Sequence, residues 1–178
     1  MLSAAKSFRA GFKVSHVRSQ LCHYRFSTSA LHSAERAITY KTAGDPTSVL
    51  RALTYPTLPS PPSKQVNVRF LLSPINPADI NVVEGVYPLK PSPDASLTGE
   101  PLLVGGNEGL AEVIEVGEGV SGVKKGDWVV MATQQLGTWA SARTVLEDDV
   151  VTLPKDISQV IGATITVSAS SHIVLTGM

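Results

Sequence analysis

Residues 110–131 read LAEVIEVGEGVSGVKKGDWVVM. Within them Gly117, Gly119 and Gly122 fit the G-x-G-x-x-G pattern that marks the phosphate turn of dinucleotide-binding folds, and an apolar run from Leu110 to Val116 precedes it. The physics of that turn requires a helix to open at the third glycine, because the pyrophosphate rests on the helix's first amides. Here Val123-Lys124-Lys125-Gly126-Asp127 lead into a second strand-like run, Trp128 to Met131, within five residues. A crossover between parallel strands needs about a dozen residues or more. The two runs are therefore read as antiparallel neighbours, with the glycines serving the loop between them.

The rest of the chain fits that β reading. Val66, Val68, Phe70 and Leu72 alternate with polar residues over Gln65 to Ser73, the period of a half-buried strand. Ile38 to Tyr40 and Val49 to Tyr55 read as short strands around the turn Gly44-Asp45-Pro46, and Trp139 to Val145 and Val150 to Leu153 complete the set. Prolines 56, 59, 61 and 62 mark a surface connection. Asn76-Pro77-Ala78-Asp79 has the signature of a helix start, a capping residue before proline with an acid in the first turn, and predicts a short helix to about Val83. Gly85 then opens a long loop with Tyr87-Pro88, Pro91, Pro93 and Pro101. Many short strands, Gly and Pro turns and little helix predict a mainly β, barrel-like or sandwich domain.

Composition narrows the chemistry. Apolar residues make up 43% and charged residues 17% of the 178, as suits a globular chain. The charge is uneven. The first 34 residues hold Lys6, Arg9, Lys13, Arg18 and Arg25 and no acid, leaving ten bases against fifteen acids from Glu35 onward. No basic patch points to nucleic acid. The single cysteine is Cys22, and between Ser33 and Ser171 there is neither Cys nor His. This leaves the body without thiolate or imidazole metal ligands and without a Ser-His-Asp or Cys-His nucleophile system.

Three segments follow. Residues 1–34, basic, Ser-rich and free of acids, with Arg25-Phe26-Ser27-Thr28-Ser29 resembling a matrix-processing site, have the composition of a mitochondrial transit peptide. Residues 35–156 form the β domain. Residues 157–178 carry no Asp, Glu, Lys or Arg but many Ser, Thr and Gly, which predicts a helix meant to pack on something rather than a membrane span.

Several motifs resemble a known family. Ile75-Asn76-Pro77-Ala78-Asp79, the segment Gly105-Gly106-Asn107-Glu108-Gly109 and the turn Val116-Gly117 through Gly126-Asp127-Trp128-Val129 resemble the zinc-free, quinone-reductase-like branch of the medium-chain dehydrogenases/reductases. Gly85-Val86-Tyr87-Pro88 and Gly137-Thr138-Trp139 are similar to the mitochondrial 2-enoyl thioester reductases within it. The resemblance spans about residues 36 to 167. It implies a GroES-like, partly open β-barrel catalytic domain with short helices. It also implies that the family's second half, a doubly wound Rossmann domain cradling NADPH, is absent from these residues.

What the resemblance implies about chemistry is specific. Hydride from NADPH adds to Cβ of a 2-enoyl thioester, carried on acyl-carrier protein or CoA, and a proton reaches Cα. Tyr87 matches the family's tyrosine proton donor, and a phenol with a pKa of about 10 stays protonated at matrix pH. Asn76 falls beside the catalytic cleft, although as a helix cap it needs no further role. Trp139 is either a core aromatic or a wall of the acyl pocket. The cofactor's main contacts are expected in the missing half, and no zinc is expected, since Asn107 stands where the zinc-dependent relatives carry His. Family homodimers form mainly through that half, which makes dimerisation doubtful here, and little turnover is expected of this chain alone. The alternatives are an NADPH quinone reductase and a non-catalytic folded fragment or binding module. The expected location is the mitochondrial matrix.

Overall fold

A computed structural model describes residues 34–166. The expected transit peptide and the end of the uncharged tail lie outside the described residues. The elements in chain order are β1 (Glu35–Tyr40), α1 (Pro46–Val49), β2 (Arg51–Tyr55), β3 (Gln65–Leu72), α2 (Pro77–Glu84), β4 (Leu103–Val104), β5 (Leu110–Val116), β6 (Trp128–Met131), β7 (Ala142–Leu146), a 3-10 turn (Glu147–Asp149), β8 (Val150–Leu153) and α3 (Gln159–Thr164).

The strands form a three-stranded sheet, β2-β1-β4, and a five-stranded sheet, β7-β3-β5-β6-β8, with every pairing antiparallel. β5 and β6 pair directly, with Leu110 opposite Val130 and Glu112 opposite Trp128, so residues 117–127 are the loop of an antiparallel pair. The two sheets meet along one side. Ile38 N donates to Trp139 O at 2.8 Å, and Ala37 bridges Ala140 just ahead of β7. β8 at the far edge of the larger sheet pairs only with β6, which leaves the barrel partly open. The alternation of β3 puts Val66 and Val68 into a core with Ala111, Val113, Val129, Met131 and Val145.

Four elements depart from the sequence reading, and β1 is the first, beginning at Glu35 rather than Ile38. Val49 and Leu50 do not join the second strand. The Asp45 carboxylate instead accepts from Thr47 N (2.8 Å) and Thr47 Oγ1 (2.7 Å), and with Pro46 at the first position this winds one turn of helix. The strand expected from Trp139 starts only at Ala142, because Thr138 and Trp139 turn aside to donate their backbone N–H groups to Gly106 O and Gly105 O. The two-residue β4 inside the proline-rich loop carries too short a pattern to be read. α3 is real, but only Gly162 and Ala163 are buried, on Leu110 and Val130, while Val160 and Ile161 remain more than half exposed.

Candidate functional site

The site is organised by α2. Asp79, at its third position, is 1% exposed and reaches back so that Oδ2 accepts from Asn76 N at 2.7 Å. Its Oδ1 accepts twice from Asn107, from the backbone N at 2.9 Å and from Nδ2 at 2.7 Å. One carboxylate thus ties the helix start to the loop Gly105–Gly109. Burial pushes the Asp79 carboxyl above the ordinary aspartate range, the N–H donors of Asn76 and Asn107 pull it back in part, and the charge of Glu108 adds to the rise.

Glu108 is fully buried and completes the network. Asn76 Nδ2 donates to its Oε1 at 2.8 Å and Thr166 Oγ1 to its Oε2 at 3.1 Å, so the residue joins α2 to the chain just beyond α3. The Glu108 carboxylate thus meets an amide and a hydroxyl from segments distant in the chain. Thr138 Oγ1 donates to Glu108 O at 2.7 Å, and Ser73 Oγ to Thr138 O at 2.7 Å. Gly106, at φ +93°, is required twice over: the backbone is left-handed there, and a Cβ would overlap Thr138 and Trp139.

Trp139 lines an apolar cleft of about 630 Å³, with Ile38, Phe70, Leu72, Ile75 and Ile80 among its other walls. Its indole Nε1 donates to Pro74 O at 3.1 Å, which fixes the ring against the segment that carries Asn76. Such a volume and lining suit an apolar ligand portion. Arg51 and Ser73 are among its few polar neighbours.

Tyr87 sits directly beyond the helix end. Gly85, at φ +81°, ends α2 in the left-handed conformation, and Asn81 O then accepts from both Val86 N (3.0 Å) and Tyr87 N (3.1 Å). The phenol is half-buried and takes part in no hydrogen bond among the described residues. Gln135 Nε2 donates to Leu89 O at 2.8 Å and Lys90 Nζ to Gly85 O, so the loop is tied on both sides of Tyr87. The structure therefore brings Asn76 and Trp139 to one segment, residues 73–80, and hangs Tyr87 from the other end of the same helix. Tyr87 is not among the walls of the apolar cleft. The ties from Gln135 and Thr166 are not readable in the sequence, since nothing in their local pattern announces partners 46 and 58 residues away.

The loop Gly117–Gly122 offers no phosphate cradle. Its amides at Ser121 and Gly122 both donate to Glu147 Oε1, the former at 2.7 Å, and the Glu147 carboxyl lies below its ordinary range because of those N–H donors. Gly117 N donates to Gln65 O at 2.9 Å, with its Cα so close to Pro62 O that no side chain fits. The residues present therefore do not fit the phosphates of a dinucleotide at that motif. Among the described residues no group of three or more His, Cys, Asp or Glu side chains is placed to hold a metal ion.

Two antiparallel sheets joined along one side, with a buried acid network at α2 and an apolar cleft, make up a partly open barrel domain. Residues 62–155 match the alcohol dehydrogenase GroES-like domain, and the chain belongs to that family. It is similar to the mitochondrial enoyl-acyl-carrier-protein reductase of Bos taurus, with 42% identity over 143 residues, 80% of this chain and 36% of the relative. Among solved structures it is similar to Etr1p in complex with NADP and crotonyl-CoA (TM-score 0.71, 36% identity, 75% of this chain and 40% of that one). Quinone oxidoreductase of Escherichia coli complexed with NADPH lies further off, at TM-score 0.62 and 28% identity over 79% of this chain and 40% of that one. The chain thus spans about a third of the length of the curated relatives it matches.

Proposed function

We propose that these residues are the substrate-side barrel of a mitochondrial, NADPH-dependent 2-enoyl thioester reductase, with Tyr87 delivering the proton to Cα. The observation that carries the reading is the placement of Tyr87: a half-buried side chain whose phenol makes no hydrogen bond among the described residues, on a loop tied at Asn81, Gly85 and Leu89. A packing tyrosine needs no such tethering, whereas a proton donor must be held still and must keep its hydroxyl for the substrate. The similarity to a mitochondrial enoyl reductase and to a complex that holds NADP and crotonyl-CoA supports the same reading. So does the acid-free, basic segment 1–34, as a transit peptide directing the protein to the matrix.

The nicotinamide cofactor supplies the hydride, and its phosphates are held outside the residues described, since the one glycine motif here is closed by Glu147. The barrel's own contributions are the proton from Tyr87, reloaded from solvent, and the apolar cleft at Trp139, which takes the acyl chain of a thioester on acyl-carrier protein or CoA. Asn76 follows Ile75, a wall of that cleft, and its side-chain amide donates to Glu108 Oε1.

The test is Tyr87→Phe in a chain extended to the relatives' full length. Enoyl-CoA reduction, followed as NADPH oxidation, is expected to fall by about a hundredfold or more in kcat, as for loss of a general acid, with crotonyl-CoA still bound. Reduction of a quinone, which needs no tyrosine donor, is expected to be spared. Unchanged enoyl reduction would remove Tyr87 from the reaction, and robust quinone turnover with none on enoyl thioesters would favour the quinone-reductase reading.

A further inference from the structure

A small cavity of about 10 Å³ has among its walls Tyr40 of β1, Asp79 and Val82 of α2, Pro91 of the loop that follows Tyr87, Asn107 of the glycine loop, and Gln135. Tyr40 is 2% exposed and Asn107 is 5% exposed. Among the described residues three buried side-chain polar atoms have no hydrogen-bond partner, and two of them, Tyr40 Oη and Asn107 Oδ1, belong to walls of this cavity. The orientation of Asn107 is fixed independently, because its Nδ2 donates to Asp79 Oδ1 at 2.7 Å. Its Oδ1 is therefore an acceptor facing away from Asp79. Burial pushes the Tyr40 phenol up, so it remains a hydroxyl donor.

We infer that this cavity is a built site for one internal water, which accepts from Tyr40 Oη and donates to Asn107 Oδ1. The volume matches the roughly 10–15 Å³ that one water requires, and two polar partners meet the minimum for such a site. A cation fits less well: the Asp79 oxygens already accept three N–H groups, and no other carboxylate lines the cavity. The bridge completes a run Tyr40–water–Asn107–Asp79–Asn76, which joins β1 to the start of the helix whose far end carries Tyr87. Gln135, another wall of the cavity, also donates to Leu89 O. The water thus sits where strand, helix and Tyr87 loop converge.

The test is an atomic-resolution crystal structure of the whole 178-residue chain, with Tyr40→Phe beside it. One ordered water is expected within about 2.7–3.2 Å of both Tyr40 Oη and Asn107 Oδ1, and it should be lost or displaced toward Asn107 in Tyr40→Phe. An empty cavity, a direct bond between the two side chains, or a peak with metal-like distances would overturn the assignment. In solution, the unfolding constants of Tyr40→Phe, Asn107→Ser and the double variant are expected to show coupling of about fivefold or more, as for groups in one network. Additive effects would count against the bridge. Should Asn107→Ser fail to fold, the Tyr40→Phe crystal structure decides the question alone.

Discussion

Two glycine loops of this chain do opposite things with similar means. Gly117–Gly122 carries the pattern of a nucleotide site, yet it is a surface turn whose amides at Ser121 and Gly122 are capped by Glu147. Gly105–Gly109 carries no nucleotide signal, yet its Asn107 amide meets the buried Asp79 and its Glu108 joins Asn76 to Thr166. In both, a carboxylate from elsewhere in the chain takes the loop's N–H groups. The difference is the solvent. Glu147 satisfies donors that bulk water would otherwise satisfy, whereas Asp79 satisfies donors buried away from bulk water. The first loop is closed at little energetic cost; the second is the joint on which α2, the apolar cleft and the Tyr87 loop depend.

The largest effect should therefore come from Asp79→Ala. It leaves three N–H donors, from Asn76 and twice from Asn107, without an acceptor in a site that is 1% exposed. Each unsatisfied buried donor costs about 1–3 kcal/mol, so a loss of about 3 kcal/mol or more is expected. It reads out as a lower urea midpoint at unchanged slope. A loss under about 1 kcal/mol would mean that the two loops do not differ as described.

Titration sharpens the same contrast. Burial raises the Asp79 carboxyl, against the opposing N–H donors, and the Gly122 and Ser121 amides lower that of Glu147. Carboxyl NMR is expected to place Asp79 above the ordinary aspartate value of about 3.9 and Glu147 below the ordinary glutamate value of about 4.3. The signs for stability are opposite. A raised acid favours the fold below its unfolded pKa, and that contribution is lost as pH rises through the folded pKa, so ionised Asp79 is held at a cost at neutral pH. A lowered acid stabilises above its unfolded pKa, and that contribution is lost as pH falls through the folded pKa, so Glu147 weakens only in acid. If either carboxyl moved the other way, the assignment of its environment would be wrong.

What was legible in the sequence follows the range of the interactions. β5, β6 and β8 were read to their ends, because alternation, tight turns and the Lys125-Gly126-Asp127 punctuation are local. The helix at Asn76-Pro77 was legible for the same reason, and the glycine motif at Gly117 was correctly read as a loop by counting residues to the next strand. The partners that build the site were not. Asn76 looked like a simple cap, but its amide serves Glu108, 32 residues on, and Asp79 reaches Asn107, 28 residues on. The early part of the expected strand at Trp139 was lost because Thr138 and Trp139 pair with Gly106 and Gly105, a tertiary demand that outweighs the β propensity of Trp139. Of the named site residues, Trp139 is bonded to Pro74 in the segment that carries Asn76, while Tyr87 is placed by the left-handed end at Gly85.

The smallest effect is expected from Glu147→Ala. Its carboxylate meets two backbone amides, but the loop is exposed, and water replaces a lost acceptor there at little cost. The predicted shift of the urea midpoint is small, the least of these variants, in kind like removing an exposed helix cap. Hydrogen exchange at Ser121 and Gly122 should speed up while Asn107 is unaffected, because the first loop opens locally and the second only with the core. The same variant frees the glycine motif for a phosphate. If the motif were a nucleotide site held shut by Glu147, adenosine 2′,5′-bisphosphate would bind Glu147→Ala and shift the Ser121 and Gly122 amides. The expected result is no shift, since Val123–Asp127 pass straight into β6 and present no helix N-terminus to a phosphate. A saturable shift would erase the distinction between the two loops, and with it the argument that the dinucleotide's phosphates are held elsewhere.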